Sequence, residues 1–320
     1  MELSTGRLGE RAEAAGEVLA SCKLCGHRCG VNRLAGERGR CDCGEAVEVA
    51  AALLHPGEEP CLSPDAGTIF FSRCNLACVY CQNWQISQCD RGDKITADEL
   101  ADAMLRLRDE GAANIELVSP TPWVPQIIDG LARAAERRLD LPVVYNTGGY
   151  DSPAALRLLD GVVDVYLPDM RYSAEGPAER LSGARDYPQV NRAAVLEMHR
   201  QVGDLVLNAR GQARRGLIVR LLVLPNRLAG VRRTLRWIAE ELSVETWFSL
   251  MAQYSPAYRA SEHDDLNRPI TDPEYDELIR FADAMGFLNF YTQKPASRTA
   301  LRPDFEHDRP FDATQRKTPR

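Results

Sequence analysis

The sequence lacks an apolar run long enough to cross a bilayer. Its longest strongly apolar stretch, LIVRLLVLP from Leu217, is interrupted by Arg220 and falls short of the roughly 20 residues that a transmembrane helix needs. The first residues carry acids and have no apolar segment of the kind found in a secretory signal. We therefore expect a soluble protein of the cytoplasm.

Positive charge is also scarce, and so is histidine. The 39 Lys and Arg residues are outnumbered by 46 Asp and Glu, which gives a net charge of −7. Nonspecific binding to nucleic acid or to an anionic membrane would require a basic face, so we expect neither partner. The 5 histidines offer no catalytic triad, which leaves nucleophilic hydrolysis without support.

No cysteine follows Cys89, and all 10 lie between Cys22 and that position. In a reducing compartment such thiols indicate metal or redox chemistry rather than disulfides. Residues 1–65 are rich in Cys, Gly and Arg but poor in apolar runs, so we predict a small head held together by bound metal. We predict that residues 66–300 form the main domain and that residues 301–320, rich in Asp, Arg, Pro and Thr, form a disordered tail.

The main domain alternates short apolar runs with amphipathic stretches. Runs of this kind are typical of strands buried on both faces of a parallel sheet. Thr96 with Glu99, and Thr271 with Glu274, have the spacing of capping boxes that begin two of the helices. We predict an α/β fold with a parallel sheet and helices outside it, the sheet being either open or curled into a partial barrel. The polar connection 171–188 is expected to be a loop, either a substrate lid or an ordinary surface loop.

Three cysteines stand in a C-x3-C-x2-C pattern directly after the first predicted strand of this domain: Cys74, Cys78 and Cys81. Three thiolates on one loop can hold three corners of an iron–sulfur cube and leave the fourth iron open. The loop also follows a strand at the edge where parallel folds place their active sites. A zinc site with a distant fourth ligand, or three buried cysteines without a metal, are the less favoured alternatives.

The triplet resembles the motif of the radical S-adenosylmethionine (SAM) superfamily, which has an aromatic residue before the last cysteine, here Tyr80. Further runs are similar to the branch related to pyruvate formate-lyase activating enzymes, many of which are uncharacterised iron–sulfur proteins. They include GTIFFSRCNLACVYCQNWQIS, VYNTGGYDS, DVYLPDMRYS and VRLLVLPN. The resemblance implies that the sheet forms a partial (β/α)6 barrel of the TIM type. It also implies a [4Fe-4S] cluster on the triplet, with SAM bound to the fourth iron. One-electron reduction would cleave SAM to methionine and a 5′-deoxyadenosyl radical, which abstracts a hydrogen atom from the substrate.

The resemblance also implies where SAM binds. Relatives contact its amino group with a Gly-Gly-Glu stretch, and the equivalent place here begins at Ser119. Asn146 ends the third predicted strand and is expected near the ribose or carboxylate of SAM, while Asp169 and Arg171 match an Asp-x-Lys pattern. Arg220 lies within an apolar run, so its charge should meet a buried carboxylate, either that of SAM or that of Asp169. We expect Tyr80 near the adenine.

A second group of cysteines lies in the head, at Cys22, Cys25, Cys29 and Cys41. Four soft ligands suit either a tetrahedral zinc ion or a second iron–sulfur cluster, and both alternatives stay open. Cys43 and His27 are alternative ligands. The stretch HPGEEP, which begins at His55, is predicted to form a turn.

These features favour an enzyme whose substrate the sequence does not name. It would abstract a hydrogen atom from a protein, as glycyl-radical-activating enzymes do, or from a small molecule or peptide. The resemblance implies an external reductant such as flavodoxin or ferredoxin. The alternative from another class is a noncatalytic iron–sulfur or zinc protein that transfers electrons or acts as a scaffold.

Overall fold

The computed structural model describes residues 5–89, 91–293, 303–307 and 310–311. No helix within these ranges is long and apolar enough to span a membrane. The helices are α1 (Thr5–Glu17), α2 (Trp84–Ser87), α3 (Ala97–Asp109), α4 (Val124–Glu136), α5 (Pro153–Leu158), α6 (Glu175–Ser182), α7 (Tyr187–Val202), α8 (Val231–Glu241) and α9 (Asp272–Ala284). The strands are β1 (Val47–His55), β2 (Ala66–Phe71), β3 (Asp93–Ile95), β4 (Asn114–Val118), β5 (Val143–Thr147), β6 (Val165–Pro168), β7 (Val206–Leu207), β8 (Ala213–Leu222), β9 (Trp247–Met251) and β10 (Phe290–Thr292).

The strands form one sheet in the order β10-β9-β8-β6-β5-β4-β2-β1-β3, with β7 paired to β8. All neighbours from β10 to β2 run parallel. β1 and β3 are antiparallel additions at one edge. Within the described ranges no pairing joins β3 to β10, so hydrogen bonds do not close the barrel. The predicted α/β fold with a partial barrel is confirmed.

Local sequence explains several element boundaries. The capping boxes at Thr96 and Thr271 are confirmed, since each hydroxyl accepts a hydrogen bond from the amide of the glutamate three residues later. Strands β2, β4, β5 and β6 are buried along their whole length, as expected for strands covered on both faces.

Three segments differ from expectation. Strand β1 lies within residues 1–65 yet pairs with β2, so the sheet extends across the proposed boundary; its central alanines make the strand pattern weak. The connection 171–188 contains α6. In the expected disordered tail, Phe305 is buried with its ring 5.4 Å from that of Phe70, while most of the tail lies outside the described residues.

Candidate active site

The loop that carries the cysteine triplet follows β2 and is held by helix α6. The amides of Ala77 and Val79 donate to the carbonyl oxygens of Ser182 and Leu181 at distances of 3.1 and 2.9 Å. Ser182 lies at the carboxyl end of α6, where backbone carbonyls have no partner within the helix. A helix that was absent from the sequence prediction therefore fixes the loop that carries the three thiols.

Each thiol of the triplet has a polar neighbour. The Ser182 hydroxyl donates to Cys78 Sγ at 3.0 Å, and the Leu76 amide donates to Cys74 Sγ at 3.4 Å. Cys81 Sγ lies 3.2 Å from Ser87 Oγ. Such contacts to sulfur stabilise a thiolate and tune any cluster that it binds.

The three thiols are close enough to influence one another. Burial, and then the Cys78 thiolate, raises the pKa of Cys74 to about 12 and that of Cys81 to about 11. Thiols that repel each other's ionised form in this way suit a cationic centre, because a bound metal deprotonates its thiol ligands. Among the residues described, no three Cys, His, Asp or Glu side chains already stand at the spacing of a single bound ion, and the cluster ligands stay a prediction.

Tyr80 is connected to the triplet by hydroxyl groups. Its hydroxyl lies 2.6 Å from that of Tyr172, which lies 2.7 Å from Ser182 Oγ, the donor to Cys78 Sγ. Burial raises the pKa of Tyr80 above its usual value, so the hydroxyl stays protonated. The Tyr80 ring packs edge-on against Tyr254 at 5.8 Å, and both residues line the adjoining cavity.

This cavity has a volume of about 410 Å³ and lies at the carboxyl ends of the parallel strands. It is where the structure brings together most of the residues predicted to bind SAM. Of these, the cavity wall includes Tyr80, Asn146, Asp169, Arg171 and Arg220, together with Cys81 of the triplet. Residues from separate strands and loops thus converge beside the triplet, as the order of the strands predicts.

Asp169 lies between two arginines. Arg220 Nε donates to its Oδ1 at 2.9 Å, and Arg171 Nη2 donates to its Oδ2 at 2.5 Å. The prediction that Arg220 meets a buried carboxylate therefore agrees with this contact to Asp169. Arg171 keeps a buried Nε that has no hydrogen-bond partner among the described residues. A carboxylate is the group that a guanidinium with a free donor binds most strongly.

Asn146 connects this group to acids that the sequence analysis did not single out. Its Oδ1 accepts from Arg220 Nη2 and its Nδ2 donates to Glu116 Oε1, both at 2.5 Å. Glu116 is fully buried, and its charge acts on the pKa of Glu58 from the loop after β1. Glu58 and its neighbour Glu59 line the cavity. In the sequence, these two acids lie between prolines, and this pattern resembles an exposed turn rather than a buried site.

Ser119 is not part of the cavity wall. It follows β4 with a φ of 60°, in the left-handed region, and its amide donates to the Asn146 carbonyl at 3.0 Å. Its backbone therefore fixes the end of the neighbouring strand, and the structure does not bring its side chain to the other predicted SAM contacts.

The turn after β5 requires a glycine. Gly149 has a φ of +74°, and a Cβ atom there would collide with the Asp169 carbonyl and the Asn191 side chain. The Asn191 amide donates to the carbonyl oxygens of Asp169 and Gly149, both at 2.9 Å. The β5 turn thus supports the backbone that carries Asp169.

The cysteines of the head surround a second, small internal space. It is lined by Cys22, Cys25, Cys29, Cys41 and Cys43. Burial raises the pKa of Cys25 to about 12, with further contributions from Cys41, Cys22 and Cys29. A hydrogen bond from Cys43 lowers the pKa of Cys41 to about 6. The set is rich in soft ligands, and its metal stays a prediction.

His27 points away from these thiols. Its Nε2 lies 2.8 Å from the carbonyl oxygen of Asn75, the residue after Cys74, and its ring packs against Tyr150. The geometry thus favours Cys43 over His27 as an additional ligand, and it joins the head directly to the cysteine loop.

Comparison with known proteins agrees with the resemblance seen in the sequence. The family model of the radical SAM superfamily matches residues 68–206. The uncharacterized protein MJ0674 of Methanocaldococcus jannaschii is 33% identical over 283 residues, which cover 85% of this chain and 77% of that protein.

One solved structure with a TM-score above 0.5 shows a similar fold at low identity. HydG, a maturase of the [FeFe]-hydrogenase, is 14% identical with a TM-score of 0.52 over 92% of this chain and 59% of its own, so this chain spans less than two thirds of HydG. A radical SAM methyltransferase from Sphaerobacter thermophilus is 16% identical with a TM-score of 0.47 over 72% of this chain and 67% of its own. Because the family model spans the cysteine triplet and a relative is 33% identical over most of both chains, this chain belongs to the radical SAM superfamily.

Proposed function

We propose that the chain binds a [4Fe-4S] cluster through Cys74, Cys78 and Cys81 and uses it to cleave SAM reductively. When bound, this pair of cofactors supplies a 5′-deoxyadenosyl radical that abstracts a hydrogen atom from the substrate. The observation that carries the proposal is the convergence of the triplet with Asp169 and Arg171 at one cavity. Membership of the superfamily favours an enzyme over a noncatalytic carrier, and the external reductant that such enzymes need is part of the proposal.

Arg171 is the residue best suited to orient SAM. Its Nη2 is held by Asp169, and its buried Nε has no partner among the described residues. A buried donor without a partner costs free energy, which a carboxylate such as that of SAM would recover. Asp169 is itself held by Arg220, so the guanidinium of Arg171 is fixed before SAM binds.

The cavity wall also contains apolar side chains. Phe70, Val118, Leu222 and Met251 line the cavity alongside the polar residues. An apolar wall limits the access of solvent and of competing hydrogen donors to a reactive radical. The chain's own task in the reaction is therefore positioning and exclusion.

The cluster is tested by anaerobic reconstitution of the full chain, with iron and sulfide analysis. We expect Cys78→Ala to lose the iron that belongs to this site. Cys89→Ala, which changes a cysteine just outside the triplet, should retain it. Equal iron and sulfide contents in the two variants would contradict the ligand assignment.

The SAM site is tested by the electron paramagnetic resonance signal of the reduced cluster. In the wild type, we expect SAM to change this signal because it binds the open iron. In Arg171→Met the change should require at least about tenfold more SAM, the loss expected for a hydrogen bond to a charged group. Arg185→Met, on the exposed surface, should respond as the wild type does. An unaltered SAM response in Arg171→Met would refute the assigned role.

The relation to pyruvate formate-lyase activating enzymes stays a prediction, because the matching family model describes the superfamily as a whole. A cytoplasmic location and a metal in the head also belong to the proposal. Metal analysis of Cys25→Ser protein separates the alternatives for the head, since loss of zinc indicates a structural ion and loss of iron with sulfide a second cluster.

A further inference from the structure

Three carboxyl groups form an acidic floor in and beneath the cavity: Glu58, Glu59 and Glu116. Glu116 comes from β4, and the other two from the HPGEEP loop after β1. The side chain of Glu58 is 10% exposed and residue Glu59 is 6% exposed. Buried acids are rare unless they are paired, so each needs its partners identified.

Two of these carboxyl groups, those of Glu58 and Glu116, interact with each other. Burial is the largest cause that raises the pKa of both Glu58 and Glu116, and the charge of Glu116 raises that of Glu58 further. Glu116 also accepts hydrogen bonds from Asn146 and Thr68. Arg220 lies 3.9 Å from Glu58, but its closer contacts are to Asp169 and Asn146.

Glu59 is different. Its Oε2 is buried and has no hydrogen-bond partner among the described residues. It lines the same cavity as Arg171 and Arg220, but both guanidinium groups donate to Asp169. A carboxylate oxygen left without a donor in a cavity wall is costly, and a ligand that brings a donor into the cavity would offset this cost.

His55 provides a second unsatisfied atom in the same wall. Burial lowers the pKa of His55 to about 4, so its ring is neutral at pH 7. Its Nε2 lies 3.5 Å from Glu58 Oε1, and we take the tautomer in which the ring proton on that nitrogen points at this oxygen. Its buried Nδ1 is then an acceptor, and it has no partner among the described residues.

We propose that the acidic floor binds the ammonium group of a primary-amine substrate, with Glu59 Oε2 and His55 Nδ1 as acceptors. An ammonium group offers three donors and a positive charge, whereas the unsatisfied floor atoms are acceptors. A substrate carboxylate would be repelled by Glu59, and a hydroxyl would leave its charge unpaired. This inference rests on the proposed function, because the bound amine is the molecule that loses the hydrogen atom.

Arg220 lies between the floor and the region assigned to SAM. The charges that act on it are those of Asp169 on one side and of Glu59, Glu58 and Glu116 on the other. Arg171, by contrast, is acted on most strongly by Asp169 and Cys78. Both regions line one cavity, so a substrate amine on the floor would be held beside SAM.

The test is binding of n-butylamine, n-butanol and butyrate to the full-length protein, measured by saturation-transfer NMR. We expect the wild type to bind the amine at least about tenfold more tightly than either other probe, since a hydrogen-bonded charge discriminates by this amount or more. Glu59→Gln should lose this preference, whereas Glu240→Gln, which removes an exposed acid on α8, should keep it. A blocked Ala-Lys-Ala peptide that binds as n-butylamine does would support the proposal and identify a peptide as the source of the amine.

Equal binding of the three probes by the wild type would overturn the proposal without reference to any variant. So would displacement of n-butylamine by SAM in the reconstituted protein, because SAM would then be the ligand of the floor. A different result would contradict the proposed function: the wild type would keep its preference for the amine, but the reconstituted protein would form no 5′-deoxyadenosine. Formation of 5′-deoxyadenosine by a protein that shows no preference for the amine would contradict the amine site and leave the proposed function intact.

Discussion

Replacement of Arg220 by Met tests the charge balance at the centre of the site. The Arg220 side chain is 15% exposed and donates to Asp169 and Asn146. Methionine keeps much of the stem but removes the cation, which leaves Arg171 as the donor to the Asp169 carboxylate among the described residues. Removal of one partner from a buried ion pair costs about 3–5 kcal/mol, and we expect about 3 kcal/mol at pH 8 because Asp169 retains Arg171.

The effect should depend on pH with a defined sign. Burial raises the pKa of Glu58 and Glu116, and Arg220 lowers it in both. A carboxyl group whose pKa is raised by folding binds its proton more tightly in the folded state, so its cost is absent at low pH and grows as pH rises. Loss of Arg220 raises both pKa values further. The difference in unfolding free energy between variant and wild type should therefore be larger at pH 8 than at pH 5.5.

The assay is urea unfolding of the full chain, followed by circular dichroism at both pH values. Arg185→Met is the control, since its side chain is 71% exposed and a surface pair contributes about 0.5 kcal/mol. A variant at Arg220 that is as stable as this control, or whose loss is the same at both pH values, would refute the reasoning.

Two further variants test the frame around the site. Ser182→Ala removes the hydrogen bond to Cys78 Sγ, so we expect a more negative reduction potential for the reconstituted cluster in a redox titration; an unchanged potential would exclude this contact as a tuning element. Gly149→Ala adds a Cβ atom against the Asp169 carbonyl at positive φ and should cost more unfolding free energy than Gly211→Ala, which has the same positive φ but open space around it. Equal losses of unfolding free energy in the two variants, measured by urea unfolding, would show that contact between the added Cβ atom and the Asp169 carbonyl carries no cost.

The parallel sheet was predictable because its strands are short, apolar and buried on both faces. The order of strands and helices then gave the edge at which Asn146, Asp169 and Arg220 meet, although they are far apart in sequence. Arg220 was informative since a charge inside an apolar run has to be paired. These predictions depend on local pattern and on simple rules for parallel sheets.

The acidic floor was not predictable from pattern. HPGEEP has the composition of an exposed turn, and only the tertiary fold turns Glu58 and Glu59 into the cavity. Helix α6 was missed for a related reason, because its sequence is polar and its role lies in backbone contacts to the cysteine loop. Burial of polar side chains depends on packing that a single sequence does not display.

The yield of 5′-deoxyadenosine is the most direct test of reductive SAM cleavage by this chain. Full-length protein is reconstituted anaerobically, reduced by several reductants in the presence of SAM, and compared with Cys78→Ala protein treated in the same way. We expect 5′-deoxyadenosine from the wild type and none above background from the variant. Equal yields from the two proteins, or none from the wild type with any reductant, would refute cleavage of SAM at the cysteine triplet.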